Sequence, residues 1–262
     1  MPERRPLVAA NWKMHKTRRE ARDFLEAFLP RAQATTGVEI VVCPPFLSLP
    51  VAAKLCDGTE VGVGAQNMHF EDAGAFTGEL SASMLTDANV DAVVLGHSER
   101  RQLFSETDEA LARKVPAALD AGLLPILCVG ESEAQRDAGE TAEVLRRQLE
   151  VDLADVPVGR LAGVVVAYEP IWAIGTGRTA SPEQAQEAIE HVRGLVTERD
   201  RAAADAVRIV YGGSMKPGNA GELMAQPDID GGLVGGASLD PDDLAAICEA
   251  AGRQAADGSQ RT

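Results

Sequence analysis

Glu169 stands at the end of the apolar run Val164 to Tyr168 and at the head of the segment Pro170-Ile171-Trp172-Ala173-Ile174-Gly175-Thr176-Gly177. The run is β-branched and apolar on both faces, as a buried parallel strand is, so the carboxylate is expected where that strand leaves the sheet. There it is poised for proton transfer rather than packed away. Ile171, Trp172 and Ile174 cost free energy in water and need a surface to close on, and Gly175 and Gly177 supply hinge freedom. The segment reads as a base under a lid.

Two other strand-like runs end in groups that could share this chemistry. After Leu7 to Trp12 comes Asn11-Trp12-Lys13-Met14, with Lys13 the first charge beyond an apolar stretch. After Ala92 to Leu95 comes Gly96-His97-Ser98-Glu99-Arg100-Arg101. Taken singly, each has a structural explanation: Lys13 as a solvating charge, His97 as a packing histidine, Glu99 and Arg100 as ion-pair partners. Taken together, a base, an imidazole and an ammonium at strand ends describe a site. Two glycine clusters, Tyr211-Gly212-Gly213-Ser214 and Val234-Gly235-Gly236-Ala237-Ser238, follow the last two runs. Either alone could be a tight turn, but such turns at strand ends also let backbone N–H groups approach an anion, so a phosphate is implied. The sequence contains no GxxxxGK[ST], no strand-linked GxGxxG, no HExxH and no EF-hand pattern, and no cofactor or metal is expected.

Positioning those groups requires a regular scaffold. Eight apolar runs recur, at Leu7 to Trp12, Ile40 to Cys43, Val61 to Ala65, Ala92 to Leu95, Pro125 to Val129, Val164 to Tyr168, Val207 to Tyr211 and Gly232 to Val234. Helical periods lie between them: Ala21, Phe24, Leu25 and Phe28 share one face, as do Leu111, Val115, Ala118 and Leu119. A further helix opens with Ser181 as N-cap, Pro182 at its first position and Gln184 completing a capping box. Eight such alternations predict an α/β fold, a closed (β/α)8 barrel, with a doubly wound open sheet as the competitor. No linker divides residues 1–262, so a single domain is expected, with a frayed polar tail from about Arg253 to Thr262.

Composition agrees with a globular chain: 262 residues, 45% hydrophobic and 25% charged. No apolar run approaches the roughly 20 residues that span a bilayer, and the N-terminal stretch lacks a signal-peptide core, which makes a cytoplasmic location the expectation. Cys43, Cys56, Cys128 and Cys248 are scattered singly and read as reduced packing residues. A formal charge of −15 argues against nucleic acid or an anionic membrane as partner. An anionic substrate would need positive potential supplied locally.

The segments NWKM, GHSERR, PILCVGE, AYEPIWAIGTG, YGGS and VGGASL, in this order, resemble the triosephosphate isomerase family over nearly the whole chain. The resemblance implies a TIM barrel in which Glu169 is the proton-transferring base and His97 a neutral electrophile whose pKa is depressed by the helical start after it. Lys13 would balance substrate charge and Asn11 would donate to the developing oxyanion. Backbone amides of Gly175, Ser214, Gly235 and Gly236 would hold a phosphate, Ser98 and Glu99 would support the site, and Cys128 would lie behind the base. Pro170 to Gly177 would be the lid. It also implies a homodimer through the loop around Gln66–Glu79, which carries Phe70, Phe76 and Thr77 and is long for a compact domain. His15 departs from the small polar residue frequent after NWKM, which puts interface packing in question; Met215 and Arg178 are milder departures. Outside the isomerase reading stand a Schiff-base aldolase with Lys13 as nucleophile and a silent phosphate-ligand sensor.

Overall fold

Each strand of this protein buries both of its faces, and the only arrangement that lets eight parallel strands do so without a free edge is closure. The computed structural model describes residues 4–174 and 178–259. Its strands are β1 (Leu7–Asn11), β2 (Glu39–Cys43), β3 (Val61–Ala65), β4 (Ala92–Leu95), β5 (Leu124–Val129), β6 (Val165–Tyr168), β7 (Arg208–Tyr211) and β8 (Gly231–Val234). They form a closed barrel in chain order, every pair parallel. The open-sheet alternative is thereby excluded, and no strand end lies more than one residue from its expected place.

Alternate residues build two cores. Leu7 and Ala9, Ala92 and Val94, and Val165 and Ala167 belong to a cluster made of strand residues alone, the barrel interior. Their neighbours Val8 and Ala10, Val93 and Leu95, and Val166 and Tyr168 pack with helix residues such as Phe24, Leu111 and Ile189, the layer outside the barrel. Extending the inward register of β1, β6, β7 and β8 by two residues reaches Asn11, Glu169, Gly212 and Gly235. The period of two thus aims these positions at one mouth.

The helices begin where local chemistry dictates. Ser181 caps the helix Pro182–Arg199 with the expected box to Gln184, and Thr17 with Glu20 does the same for Arg18–Ala34. Burial of Ala21, Phe24, Leu25 and Phe28 on the latter, and of Leu111, Val115 and Ala118 on Asp108–Asp120, matches their periods. The last helix, Pro241–Ser259, runs through Arg253, where fraying is expected from sequence. Backbone propagation needs no new apolar residue once a helix is nucleated, and Ala255 packs beside Gly37, where a Cβ would sit 3.4 Å from its methyl group. Among the described residues, no helix is long and apolar enough to cross a membrane.

Closure between β8 and β1 leaves no room at Gly231. Its φ is +130°, and a Cβ there would lie 1.9 Å from the Leu7 carbonyl oxygen. Gly231→Ala is therefore expected to lower unfolding stability by at least about 2 kcal/mol in urea titrations. A loss under about 0.5 kcal/mol would mean that the seam opens freely and is not a constraint on the fold.

Candidate active site

Beyond β1 the chain turns through Lys13, whose φ of 51° is left-handed. A non-glycine residue holds that conformation, at a cost of about 1–3 kcal/mol, only when its surroundings over-determine it. Here they do: Asn11 Oδ1 accepts the Lys13 N–H at 3.0 Å, and Gln66 Nε2 donates to the carbonyls of Lys13 and Cys43, both at 2.9 Å. With Oδ1 engaged, the amide NH2 of Asn11 is the end free to face a ligand. Lys13 Nζ donates to Glu99 Oε1 at 2.6 Å. The lysine stem passes Gly235 so closely that a Cβ there would sit 3.3 Å from Cε.

Glu169 follows β6 by one residue and is only 1% exposed. The expectation of a poised, open carboxylate is corrected: it is packed away beneath the mouth. Its N–H donates to Val129 O at 2.8 Å, and Oε2 accepts the Ser98 N–H at 2.8 Å. Oε1 lies 2.9 Å from His97 Nε2. That contact is close but off the N–H direction, so Oε1 is a buried oxygen without an aligned hydrogen bond. Gly212 makes this packing possible, since a Cβ there would come within 2.8 Å of Glu169 Cγ.

His97 is buried too, and the N–H of Glu99 donates to its Nδ1 at 3.2 Å. This identifies the tautomer with its proton on Nε2, facing the carboxylate. The expected depression of its pKa is not what the structure yields. Burial lowers it, but the charge and hydrogen-bonding capacity of Glu169 outweigh burial, and the net direction is upward. The helical start is indeed aimed at Nδ1; what sequence spacing could not reveal is the carboxylate standing against the other nitrogen. Cys128 lies in the barrel interior, its thiol pushed well above the usual range by burial and then by Glu169. All four cysteines are free and buried.

The first half of the segment from Pro170 to Gly177, expected to act as a lid, is tightly held. Trp172 Nε1 and the Tyr168 hydroxyl donate to Glu131 Oε1 at 2.9 and 3.0 Å, and Arg136 lies 3.3 Å from the same oxygen while covering the Trp172 ring at 4.4 Å. Pro170 and Ala173 are buried, Ile171 is half-buried, and the Ala173 carbonyl accepts Ser214 Oγ at 2.9 Å. Gly175, Thr176 and Gly177 lie outside the described residues. Arg178, just after them, pairs with Glu133 and also approaches Trp172.

These elements surround a cavity of about 500 Å3 whose wall includes Asn11, Lys13, His97, Ser214, Gly235 and Gly236. Gly236–Leu239 is a short 3-10 turn, and the first amides of such a turn have no acceptor within it. Ile174, at the lid's described end, lines the same space, and so do His15 and Lys216. His15 therefore belongs to the mouth as well as to the loop after NWKM. Glu169 and Cys128 are not in the wall, whereas His97, which stands against the carboxylate, is. Among the described residues, no cluster of His, Cys, Asp or Glu could hold a metal ion. Sequence reasoning missed Gln66 and Glu131 as parts of the site. Glu131 had a faint signal as the acid closing PILCVGE, and Gln66 had none.

A carboxylate beside an imidazole, with an ammonium and a primary amide on one cavity, can move a carbon-bound proton and stabilise the oxyanion that results. Comparison with known proteins bears on which reaction this is. The profile of the family described as Triosephosphate isomerase matches residues 6–251. A protein named triosephosphate isomerase from Symbiobacterium thermophilum is 57% identical over 249 residues, covering 95% of this chain and 97% of its own. Proteins of the same name from Rubrobacter xylanophilus and Solibacter usitatus are 54% and 51% identical, covering 95% and 93% of this chain and 98% of their own length in each case. With its barrel, its rim and this likeness over nearly its whole length, the chain belongs to the triosephosphate isomerase family.

Proposed function

We propose that this protein interconverts dihydroxyacetone phosphate and D-glyceraldehyde 3-phosphate by carboxylate-mediated proton transfer through an enediolate. The observation that carries the reading is the approach of Glu169 Oε1 to His97 Nε2, 2.9 Å, beside a cavity that Lys13 and Asn11 also line. Glu169 removes a proton from the carbon next to the substrate carbonyl and returns it to the neighbouring carbon. His97, with its proton on Nε2, donates to the substrate oxygens in turn, and Asn11 and Lys13 stabilise the charge that develops there. To act, the carboxylate exchanges the Ser98 N–H and the imidazole edge for the substrate, and its unpartnered oxygen makes that exchange inexpensive.

The phosphate is held by main-chain amides of Ser214, Gly235 and Gly236, with Gly175 from the lid. Lys13 and Lys216 supply full positive charge on the same cavity, and Glu99 is the partner Lys13 gives up. Closure of Pro170 to Gly177 excludes water, strengthens each electrostatic contact and keeps the enediolate from expelling its phosphate. No external oxidant or reductant is needed: one carbon is oxidised as its neighbour is reduced, and the hydrogen leaving the first is restored at the second. The assembly that fits the exposed apolar residues Met14, 93% exposed, and Phe76, 43% exposed, is a homodimer through the loop Gln66–Glu79. His69 stacks on Phe76 at 4.1 Å and gives that loop a defined shape. The compartment consistent with this activity is the cytoplasm.

In Glu169→Gln, turnover of either triose phosphate should fall by about 10² to 10⁴ while inhibition by inorganic phosphate is retained. Turnover near that of the wild type would remove Glu169 from the role of base. In the same variant, NMR titration should find the His97 imidazole protonating at lower pH than in wild type, because burial then acts without the carboxylate. An unchanged titration would mean that the pair is not coupled. Light scattering should give twice the chain mass of 27.6 kDa, falling toward one chain in Phe76→Glu; a monomeric wild type would refute the interface.

A further inference from the structure

Glu169 and His97 come from different strands, and their contact depends on how the rims of β4 and β5 are held against each other. One side chain holds both. Arg101, in the short helix Ser98–Leu103, turns its guanidinium back to the barrel. Its Nε donates to Gly96 O at 2.8 Å and its Nη2 to Cys128 O at 3.0 Å. From outside, Asp108 at the start of the helix Asp108–Asp120 and Asp152 at the end of Thr141–Asp152 grip the same group, Asp152 at 2.6 Å from Nη2.

The two carbonyls are the significant contacts. Gly96 O belongs to the peptide that enters His97, and because a peptide is planar, fixing its oxygen fixes the position of the His97 nitrogen and Cα. Gly96 has a φ of +71°, so the strand's direction breaks there and its register no longer orients the histidine. Cys128 O belongs to the peptide that enters Val129, whose carbonyl receives the Glu169 N–H at 2.8 Å. The same helix that carries Arg101 supplies the Ser98 N–H to Glu169 Oε2. A planar fork with donors in fixed directions can hold two strand ends at once; a lysine, with a point charge, cannot reproduce that geometry.

We propose that Arg101 is a positioning residue for the Glu169–His97 pair, clamping the ends of β4 and β5 so that the imidazole and the carboxylate meet. This rests on the isomerase reading. Arg101 touches no substrate; it acts through the two peptides it holds. Asp108 and Asp152 keep the fork in place, and Asp152, fully buried, has one carboxylate oxygen without a partner. Burial pushes Asp152 up to about 8 against the pull of Arg101, so Asp152→Asn is the natural companion to a substitution that weakens the arginine.

The test is Arg101→Lys, assayed beside the wild type in both directions of the triose phosphate reaction. The expected result is a kcat at least about tenfold lower, with KM within about twofold and inhibition by inorganic phosphate unchanged, because the anion cradle is built elsewhere. A purely structural arginine would lower the melting temperature without that division between kcat and KM. If Arg101→Lys does not fold, the charge-balanced Arg101→Lys/Asp152→Asn is measured in its place, with the same expectation. A folded variant with kcat within twofold of wild type overturns the inference. Failure of both variants to fold also overturns it, since Arg101 would then serve the fold and not the reaction. A wild type that does not interconvert the trioses refutes the isomerase reading instead, which keeps the two failures apart.

Discussion

A carboxylate taken out of water must find partners or lose its charge, and Glu169 finds very few. One backbone N–H from Ser98 and one imidazole edge are what face its two oxygens. Every surrounding feature answers to that constraint. The inward register of β6 delivers the residue, Val129 fixes its backbone, the missing side chain at Gly212 leaves space for its methylenes, and the break at Gly96 brings His97 round to meet it. A fully satisfied carboxylate would be inert, and an exposed one would spend its time hydrogen-bonded to water. Partial satisfaction in a buried place leaves one oxygen free to take a new partner.

The same division between fixed and exchangeable parts recurs around the cavity. Lys13 has its backbone locked by Asn11 and Gln66, whereas its ammonium is paired to a half-exposed Glu99. An ion pair so open to solvent contributes little to stability, so separating Lys13 from Glu99 costs little. The segment that follows Glu169 is fixed at its start. Its first residues are tied through Trp172 to Glu131, a carboxylate with no exposure that also receives the Tyr168 hydroxyl. This anchor ties the first residues of the segment to the barrel rim.

How far this could be read from the sequence depends on the range of the interaction concerned. Strand limits were legible because burial on both faces writes an unbroken apolar run, and the cap at Ser181 because its box lies within four residues. The positions of Lys13, His97, Glu169 and the two glycine clusters at strand ends were legible because each stands just beyond such a run, and that of Asn11 because it closes β1. Gln66 and Glu131 were not, because a hydrogen bond from Gln66 to Lys13 spans 53 residues and leaves no periodic trace. The burial of Glu169 and the upward direction of the His97 pKa were missed for the same reason: they arise from contact across 71 and 72 positions between side chains whose register alone does not say that they touch. The tail from about Arg253 is expected to fray because it is polar and lacks apolar anchors, and the helix Pro241–Ser259 runs through its first residues.

The net charge of −15 can be reconciled with an anionic ligand by distance. At physiological ionic strength exposed charges are screened over about 8 Å, so carboxylates on the outer faces of the helices are weakly felt at the mouth of the barrel. Within the cavity the balance is different. Lys13 and Lys216 line it with the ends of two glycine turns, and Asp243 is the one carboxylate among the described residues of its wall. Main-chain dipoles carry no net charge and add nothing to the total, yet at contact distance several of them act on one phosphate together. An acidic protein can therefore remain repulsive to extended polyanions, which sense the whole surface, and still bind a small dianion that meets only the last few ångströms of it.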